Sequence, residues 1–139
     1  MPMRPHKEIV RQFYEAIWNN DDKTIIPELL CEDFSFRGSL GKMQYGHADF
    51  ATYLNLVRES IQNYRCDIVE MIQEDDKTFA RIHYSGIHYG DFLGYAPTHA
   101  KLEWNGAAVF TFRDGKIADL WVLWDIQGLQ KQLAQLIQE

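Results

Sequence analysis

Asp125 is the residue of this chain whose position most needs a chemical explanation. It lies between Trp124 and Ile126, where a predicted apolar strand gives way to a predicted helix. A carboxylate at such a place is unfavourable unless it is solvated, hydrogen-bonded or used in a reaction. An apolar wall, which Trp121, Leu123 and Trp124 could form, suits a carboxylate that takes and returns a proton. Alternatively, Asp125 caps the last helix by accepting hydrogen bonds from its first backbone N–H groups.

Two more residues could act together with this carboxylate. His88 ends a predicted strand, and its imidazole could hydrogen-bond a substrate carbonyl or orient Asp125. The alternative is a strand-end histidine bonded to the glycine-rich loop that follows it. Arg81 lies seven residues earlier, so plain alternation places it on the opposite face of the strand, where an acidic surface neighbour would pair with it. Only a bulge near Gly86 would bring Arg81 and His88 to the same face.

Aromatic residues make up 14% of the chain, which is a high share for 139 residues. Such side chains line concave sites for flat organic ligands as well as filling cores. We expect four of them to line a substrate cavity, namely Tyr14, Phe36, Trp104 and Trp121. The ligand predicted from this lining is a hydrophobic small molecule.

No metal or cofactor site is predicted. His83, His88 and His99 lack the compact spacing of a metal site, and alternation points His83 and His88 to opposite faces. No glycine-rich phosphate loop opens a helix, and neither cysteine has a histidine placed to activate it. The histidines are therefore expected to act, if at all, through hydrogen bonds and proton transfer.

The pattern of the remaining sequence predicts an α+β fold in one domain spanning residues 1–139. Helical spacing comes first, and a meander of long strands follows it. The predicted helices cover 7–19, 24–30, a segment from Gly46 to about 61, and 126–137. The predicted strands cover 33–37, 65–73, 78–89, 101–112 and 116–124, with Asp114-Gly115 as a hairpin turn. Long antiparallel strands curl, so this sheet should enclose a concave pocket that the helices cover.

The charge and the cysteine content indicate which binding partners and which cellular compartment to expect. The formal net charge is −6 with no basic block, which argues against nucleic acid as a partner. Cys31 and Cys66 are too few for a disulfide framework and are expected to be reduced thiols. No signal-like or membrane-length apolar stretch is found, so the expected location is the cytoplasm, without membrane attachment.

Two blocks of motif residues resemble the SnoaL-like polyketide cyclase (ester cyclase) family of the NTF2-like superfamily. The first block is Arg81, Gly86, His88, Gly90, Phe92, Gly94 and Pro97-Thr98. The second is Phe112, Gly115-Lys116-Ile117, Trp121, Asp125, Gly128-Leu129 and Gln132-Leu133. The resemblance implies a cone-shaped barrel in which a curved antiparallel sheet is covered by N-terminal helices and one C-terminal helix. It also implies that Asp125 is the acid/base of a cofactor-independent, intramolecular aldol-type ring closure.

This chain departs from the family pattern at two places. Relatives usually carry Pro-Pro-Thr-Gly after the glycine loop, whereas this chain has Ala96-Pro97-Thr98-His99. The extra imidazole of His99 is therefore a candidate substrate contact at the mouth of the loop. Many relatives also have histidine directly before the motif tryptophan, where this chain has Leu120.

The leading functional hypothesis is a cyclase-type enzyme that acts on a hydrophobic carbonyl or ester substrate. The alternative is a non-catalytic module that binds a small molecule or dimerises. A third option, epoxide-hydrolase-like chemistry, would need Asp125, Arg81 and a second carboxylate (Glu103 or Asp119) to converge on one water. A homodimer is also expected, because a broad sheet must cover its outer face, with Trp104, Val109 or Trp124 among the candidate contacts.

Overall fold

A computed structural model describes residues 5–40 and 43–137 and confirms the α+β architecture. The helices are α1 (His6–Gln12), a π-helical segment that continues it (Phe13–Asn19), a 3₁₀ turn (Lys23–Ile25), α2 (Ile26–Leu29), α3 (Gly46–Ser60) and α4 (Ile126–Ile137). The strands are β1 (Leu30–Arg37), β2 (Met43–Tyr45), β3 (Ile61–Glu74), β4 (Lys77–His88), β5 (Lys101–Arg113) and β6 (Lys116–Trp124). In the described ranges, no helix combines the length and the apolar character needed to span a membrane.

The six strands form one curved sheet that does not close, in the order β2-β1-β6-β5-β4-β3. All neighbouring strands are antiparallel except β1 and β6, which run parallel. The antiparallel prediction therefore holds for every pair but this one. Parallel neighbours need a long crossover, and here α3 and the meander from β3 to β5 provide it.

Alternation along the strands separates an inner face, covered by helices, from an outer face. In β4 the even-numbered residues are buried, including Ile82, Tyr84 and His88, while Arg81 on the other face is exposed. The register pairs Tyr84 with Trp104 of β5. The same period of two therefore places large aromatic side chains from neighbouring strands side by side in the interior.

The turn between β5 and β6 matches its prediction from sequence. Asp114 and Gly115 both have positive φ, 54° and 79°, as a type I′ hairpin turn requires. Such a turn fixes the register of the two strands it joins. It thereby determines which residues of β6 face inward, and these include Leu120, Val122 and Trp124.

The largest differences from the predicted boundaries arise because strand pairing overrides local pattern. β1 begins at Leu30 and not at residue 33, since Leu30 pairs with Ile117 of β6 and is fully buried. This pairing also ends the second helix one residue early. β3 begins at Ile61, directly after α3, because Ile61 pairs with His88. The short strand β2 lies within the segment predicted as a loop and pairs with the end of β1.

Candidate functional site

The interior holds a small cavity of about 20 Å³ between the helices and the inner face of the sheet. Aromatic rings dominate its lining, and the strands also contribute polar groups through Tyr64, Tyr84 and the thiol of Cys66. The lining residues are Phe13, Tyr14, Trp18, Phe36, Tyr53, Tyr64, Cys66, Tyr84, Leu120, Val122 and Trp124. A cavity of this volume has room for about one water molecule.

Four aromatic rings, one from each of the strands β3 to β6, form the layer beneath this cavity. Tyr84 stacks on Trp104 with ring centroids 5.6 Å apart and on Tyr64 at 6.1 Å. Trp104 meets Trp124 edge to face at 5.2 Å. The aromatic layer (Tyr64, Tyr84, Trp104 and Trp124) therefore offers flat surfaces of the kind that flat ligands stack on.

The aromatic residues predicted to line a cavity divide into three groups. Tyr14 and Phe36 do line it. Trp104 is buried, with 3% exposure, but lies behind Tyr84 in the aromatic layer. Trp121 lies on the outer face, 38% exposed, with the guanidinium of Arg37 5.6 Å from its ring centroid. Residues three apart on a strand point to opposite faces, so Trp124 faces the interior in place of Trp121.

Tyr14 brings an unpaired hydrogen-bond donor to the cavity. Its side chain is 3% exposed, and its hydroxyl makes no hydrogen bond of standard geometry in the described part of the chain, where the side chain of Tyr84 is its polar neighbour. The indole N–H of Trp104 is buried and unpaired in the same way. Buried polar groups are nearly always satisfied, so an orphaned donor indicates either strain or a partner that comes from outside the chain.

Burial keeps the polar groups of the interior protonated at neutral pH. It raises the pKa of Tyr14, of Tyr84 and of the Cys66 thiol, and the neighbouring groups add to the rise for Tyr14. These hydroxyls are therefore neutral donors and not phenolates. They can give a hydrogen bond to an oxygen that gains negative charge.

Tyr14 is held in place by an unusual helical segment. It lies in the π-helical stretch Phe13–Asn19, and such stretches are rare and frequent at functional sites. The end of this segment is fixed to β3 by two hydrogen bonds of Asn19. Its amide nitrogen donates to the Cys66 carbonyl at 2.9 Å, and its oxygen accepts from the Cys66 N–H at 2.7 Å.

Asp125 lies at the end of β6 with its side chain exposed, and it does not line the interior cavity. Its Oδ1 accepts a hydrogen bond from the Gly128 N–H at 2.9 Å, while its own N–H donates to the Asn105 carbonyl at 2.9 Å. The residue therefore caps α4, which was one of the two interpretations of its position. A side chain at Gly128 would collide with the carboxylate, since an added Cβ would lie 2.3 Å from Oδ2.

His88 is fully buried and bonded to the loop that follows β4. The Thr98 backbone N–H donates to its Nδ1 at 3.2 Å, and the Thr98 hydroxyl lies 3.0 Å from the same atom. Because Nδ1 accepts from a backbone N–H, the ring is neutral with its proton on Nε2. Burial lowers the pKa of His88, which keeps it in this form. The geometry corresponds to the interpretation of His88 as a strand-end histidine bonded to the loop.

The remaining predicted site residues lie apart from the interior. Arg81 donates to Glu70 at 3.0 Å on the outer face, as alternation predicts. His99 is exposed in the loop beside Tyr89, at a ring distance of 5.9 Å.

The two carboxylates considered for a shared water have other partners. Glu103 lies 3.6 Å from both Lys101 and His83. Asp119 accepts from the Ser35 hydroxyl at 2.5 Å. Neither carboxylate is bonded to Asp125, so the described contacts do not bring an epoxide-hydrolase-like set together.

Several residues of the interior site were not singled out from the sequence. Tyr84 lies four residues before His88 and hence on the same face of β4, so alternation could have identified it. Trp18 follows Tyr14 by four residues on the N-terminal helix, which places both on one side. Tyr64 and Cys66 gave no such signal, because the register of β3 is irregular near its start and again at its middle.

Solved structures share this architecture over nearly the whole chain. A proposed SnoaL-like polyketide cyclase from Jannaschia sp. CCS1 has a TM-score of 0.84 at 15% identity, covering 96% of this chain and 97% of that chain. A proposed polyketide cyclase from Acidithiobacillus ferrooxidans has a TM-score of 0.84 at 19% identity, covering 98% and 99%. IdmH, a proposed polyketide cyclase from Streptomyces antibioticus, has a TM-score of 0.82 at 19% identity, covering 94% and 99%.

These similarities establish the NTF2-like fold that the motifs implied. No curated protein sequence matches the chain. A sequence model of the SnoaL-like polyketide cyclase family, however, matches residues 8–133, which is most of its length. The chain therefore belongs to the SnoaL-like polyketide cyclase family.

Proposed function

We propose that this chain is a cyclase-type protein that takes a flat, hydrophobic carbonyl or ester compound into its aromatic interior. The observation that carries this proposal is the buried, unpaired hydroxyl of Tyr14 at a cavity lined by aromatic rings. A ligand carbonyl would accept its hydrogen bond and remove the cost of the orphaned donor. The rings of the aromatic layer would stack on the flat part of the ligand.

The same donor would serve the reaction as well as binding. When a proton leaves the carbon next to a carbonyl, negative charge develops on the carbonyl oxygen. A neutral hydroxyl already aimed at that oxygen stabilises the charge, and it does so more strongly inside an apolar site than in water. Burial raises the pKa of Tyr14, so this hydroxyl stays a neutral donor at alkaline as well as neutral pH.

Asp125 is the proposed acid/base, which is the role that the family resemblance implies. Its neighbour Trp124 lines the cavity, and Asp125 itself stands at the end of the same strand. The Gly128 N–H holds one carboxylate oxygen, while Oδ2 accepts no hydrogen bond from the described residues. The cap would then orient the side chain and leave one oxygen for proton transfer.

A non-catalytic binding module remains the second candidate, and the exposure of Asp125 favours it. Such a module would use the interior in the same way and would need Asp125 only as a cap. Both candidate functions therefore involve the same ligand, but only the enzyme would transfer a proton. A cytoplasmic location is proposed for either of them, supported by the free thiols of Cys31 and Cys66.

Tyr14→Phe is expected to weaken binding of acetylnaphthalene about tenfold, because the variant loses only the hydroxyl that donates to the carbonyl. Binding is measured by quenching of tryptophan fluorescence, since Trp18 and Trp124 line the cavity. Isopropenylnaphthalene has nearly the same shape with a CH2 group in place of the carbonyl oxygen, so its affinity should be unchanged. The matched control is Tyr45→Phe, which removes a hydroxyl from a side chain that is 62% exposed. The proposed role of Tyr14 would be contradicted if Tyr14→Phe weakened the binding of both ligands equally, or if it weakened the binding of neither.

A homodimer that covers the outer face of the sheet is also proposed. Trp104 and Trp124 cannot contribute to it, because both face the interior. Val109 lies on the outer face and is directly paired there with Phe79 and with Trp121. These three side chains form a continuous apolar row across three strands.

In solution scattering, the wild-type protein should have twice the chain mass of 16.3 kDa. Val109→Asp should reduce this to the mass of one chain, because it places a charge in the apolar row. The control Ser85→Asp adds the same charge to the outer face away from that row, and it should stay dimeric. A wild-type protein of single-chain mass would refute the dimer.

A further inference from the structure

A surface groove of about 430 Å³ lies between the N-terminal helix and β3. Two of its lining residues, Tyr14 and Cys66, also line the interior cavity. These two side chains therefore form the wall between the groove and the cavity. The hydrogen bonds of Asn19 to Cys66 fix the helix against the strand at this wall.

We propose that the groove and the cavity are two halves of one ligand site, and that the groove binds an anionic end of the ligand, such as a carboxylate. The proposal rests on the proposed function of the interior and extends it to the class of substrate. The cavity alone is too small for an organic ligand, whose sites usually measure about 300–1,000 Å³. The groove supplies a volume in this range, and it meets the aromatic interior at the wall that Tyr14 and Cys66 form.

The charge of the groove supports an anionic ligand end. Lys7 and Arg11 line it, and neither takes part in an ion pair with a carboxylate in the residues that the structure describes. They are four residues apart on one helix, a spacing at which like charges repel unless an anion lies between them. Two free cations side by side are notable on a chain whose net charge is −6.

The carboxylates of the groove do not cancel these two cations. Asp67 is paired with Arg65 at 2.9 Å, and Glu70 is paired with Arg81 at 3.0 Å. Glu15 is the remaining acidic residue of the lining, so the unpaired side chains carry a net positive charge. The substrate class is therefore an amphiphile with a flat apolar carbonyl part and a carboxylate at the opposite end.

The test compares an acetylnaphthoic acid with its methyl ester, which lacks the negative charge and carries one additional methyl group. We expect the wild-type protein to bind the acid about fivefold more tightly at low ionic strength, as two exposed ion pairs would give. The double variant Lys7→Gln/Arg11→Gln should remove this preference and leave the affinity for the ester unchanged. High salt should have the same effect as the variant, because it screens exposed charges.

The control variant Lys101→Gln/Lys131→Gln makes the same change in net charge at exposed positions outside the groove, and it should keep the preference. An acid that binds no better than the ester, or a preference that survives loss of Lys7 and Arg11, would overturn the anionic groove while leaving the interior site intact. If neither compound binds, the interior site itself is refuted, and the groove proposal with it.

Alkylation of Cys66, which lies in the wall between the groove and the cavity, tests the same proposal independently. In a Cys31→Ser background, Cys66 is the single thiol, and it is 3% exposed. Bound acetylnaphthoic acid should slow its alkylation by iodoacetamide in proportion to occupancy. Because Cys66 lines both spaces, an unchanged alkylation rate at saturating ligand would contradict binding across this wall.

Discussion

Asp125→Asn is expected to reduce catalysed proton transfer by at least about 100-fold, because an amide cannot act as a general base. Solvent deuterium incorporation into the methyl group of acetylnaphthalene measures this step directly, without knowledge of the natural substrate. The stability of the variant should equal that of the wild type. Asparagine caps helices as well as aspartate does, and the bond from the Gly128 N–H can be kept.

Asp125→Ala is the matched variant that separates the two roles of this residue. It removes the cap together with the carboxylate, so urea unfolding should show a loss of about 1 kcal/mol. Proton transfer should fall as far as in the asparagine variant. Asp125 would be identified as a cap alone by two results together. Asp125→Asn would exchange deuterium at the wild-type rate, and only Asp125→Ala would lose stability. The protein would then be a binding module.

Phe50→Ala is expected to lower the free energy of unfolding by about 3–5 kcal/mol. Phe50 is fully buried on α3 and meets Phe13, Phe34 and Phe36 at ring distances of 5.6 Å. Its removal leaves a void beside residues that line the cavity. Such a loss is a large part of the 5–15 kcal/mol that usually stabilises a domain. Urea unfolding of the variant measures it.

The matched control is Leu56→Ala, on the same helix but 57% exposed. Its unfolding free energy should change by no more than about 0.5 kcal/mol. A loss below about 1 kcal/mol in Phe50→Ala would show that the aromatic interior is loosely packed. That result would also weaken the proposal that these rings hold a ligand in a defined position.

The sequence predicted best those parts of the fold that local chemistry determines. β6 and α4 have the predicted limits, because Asp114-Gly115 fixes the turn before β6 and the helical stripe of α4 is regular. Strand alternation also placed Arg81 on the outer face, where it pairs with Glu70. In each case the deciding interactions lie within a few residues along the chain or across one hairpin.

The candidate site was harder to predict, because the local sequence pattern does not determine which side chains face inward or how they are hydrogen-bonded. Trp121 and Trp124 are both compatible with an inward position, and only the register of β6 with β5 selects Trp124. The two interpretations of Asp125 differ by one hydrogen bond, from the Gly128 N–H. The local pattern of Tyr14 does not indicate that its hydroxyl is buried without a standard hydrogen bond in the described residues.

The parallel pairing of β1 with β6 has a consequence for synthesis of the chain. Ser35 and Asp119, which are hydrogen-bonded across these strands, are 84 residues apart. On a ribosome adding roughly 5–20 residues per second, β1 would wait about 4–17 s for its partner strand to be made. During that interval its apolar residues Phe34 and Phe36 lack the neighbour that later covers their strand. The nascent chain is therefore expected to be most exposed to aggregation before β6 leaves the ribosome.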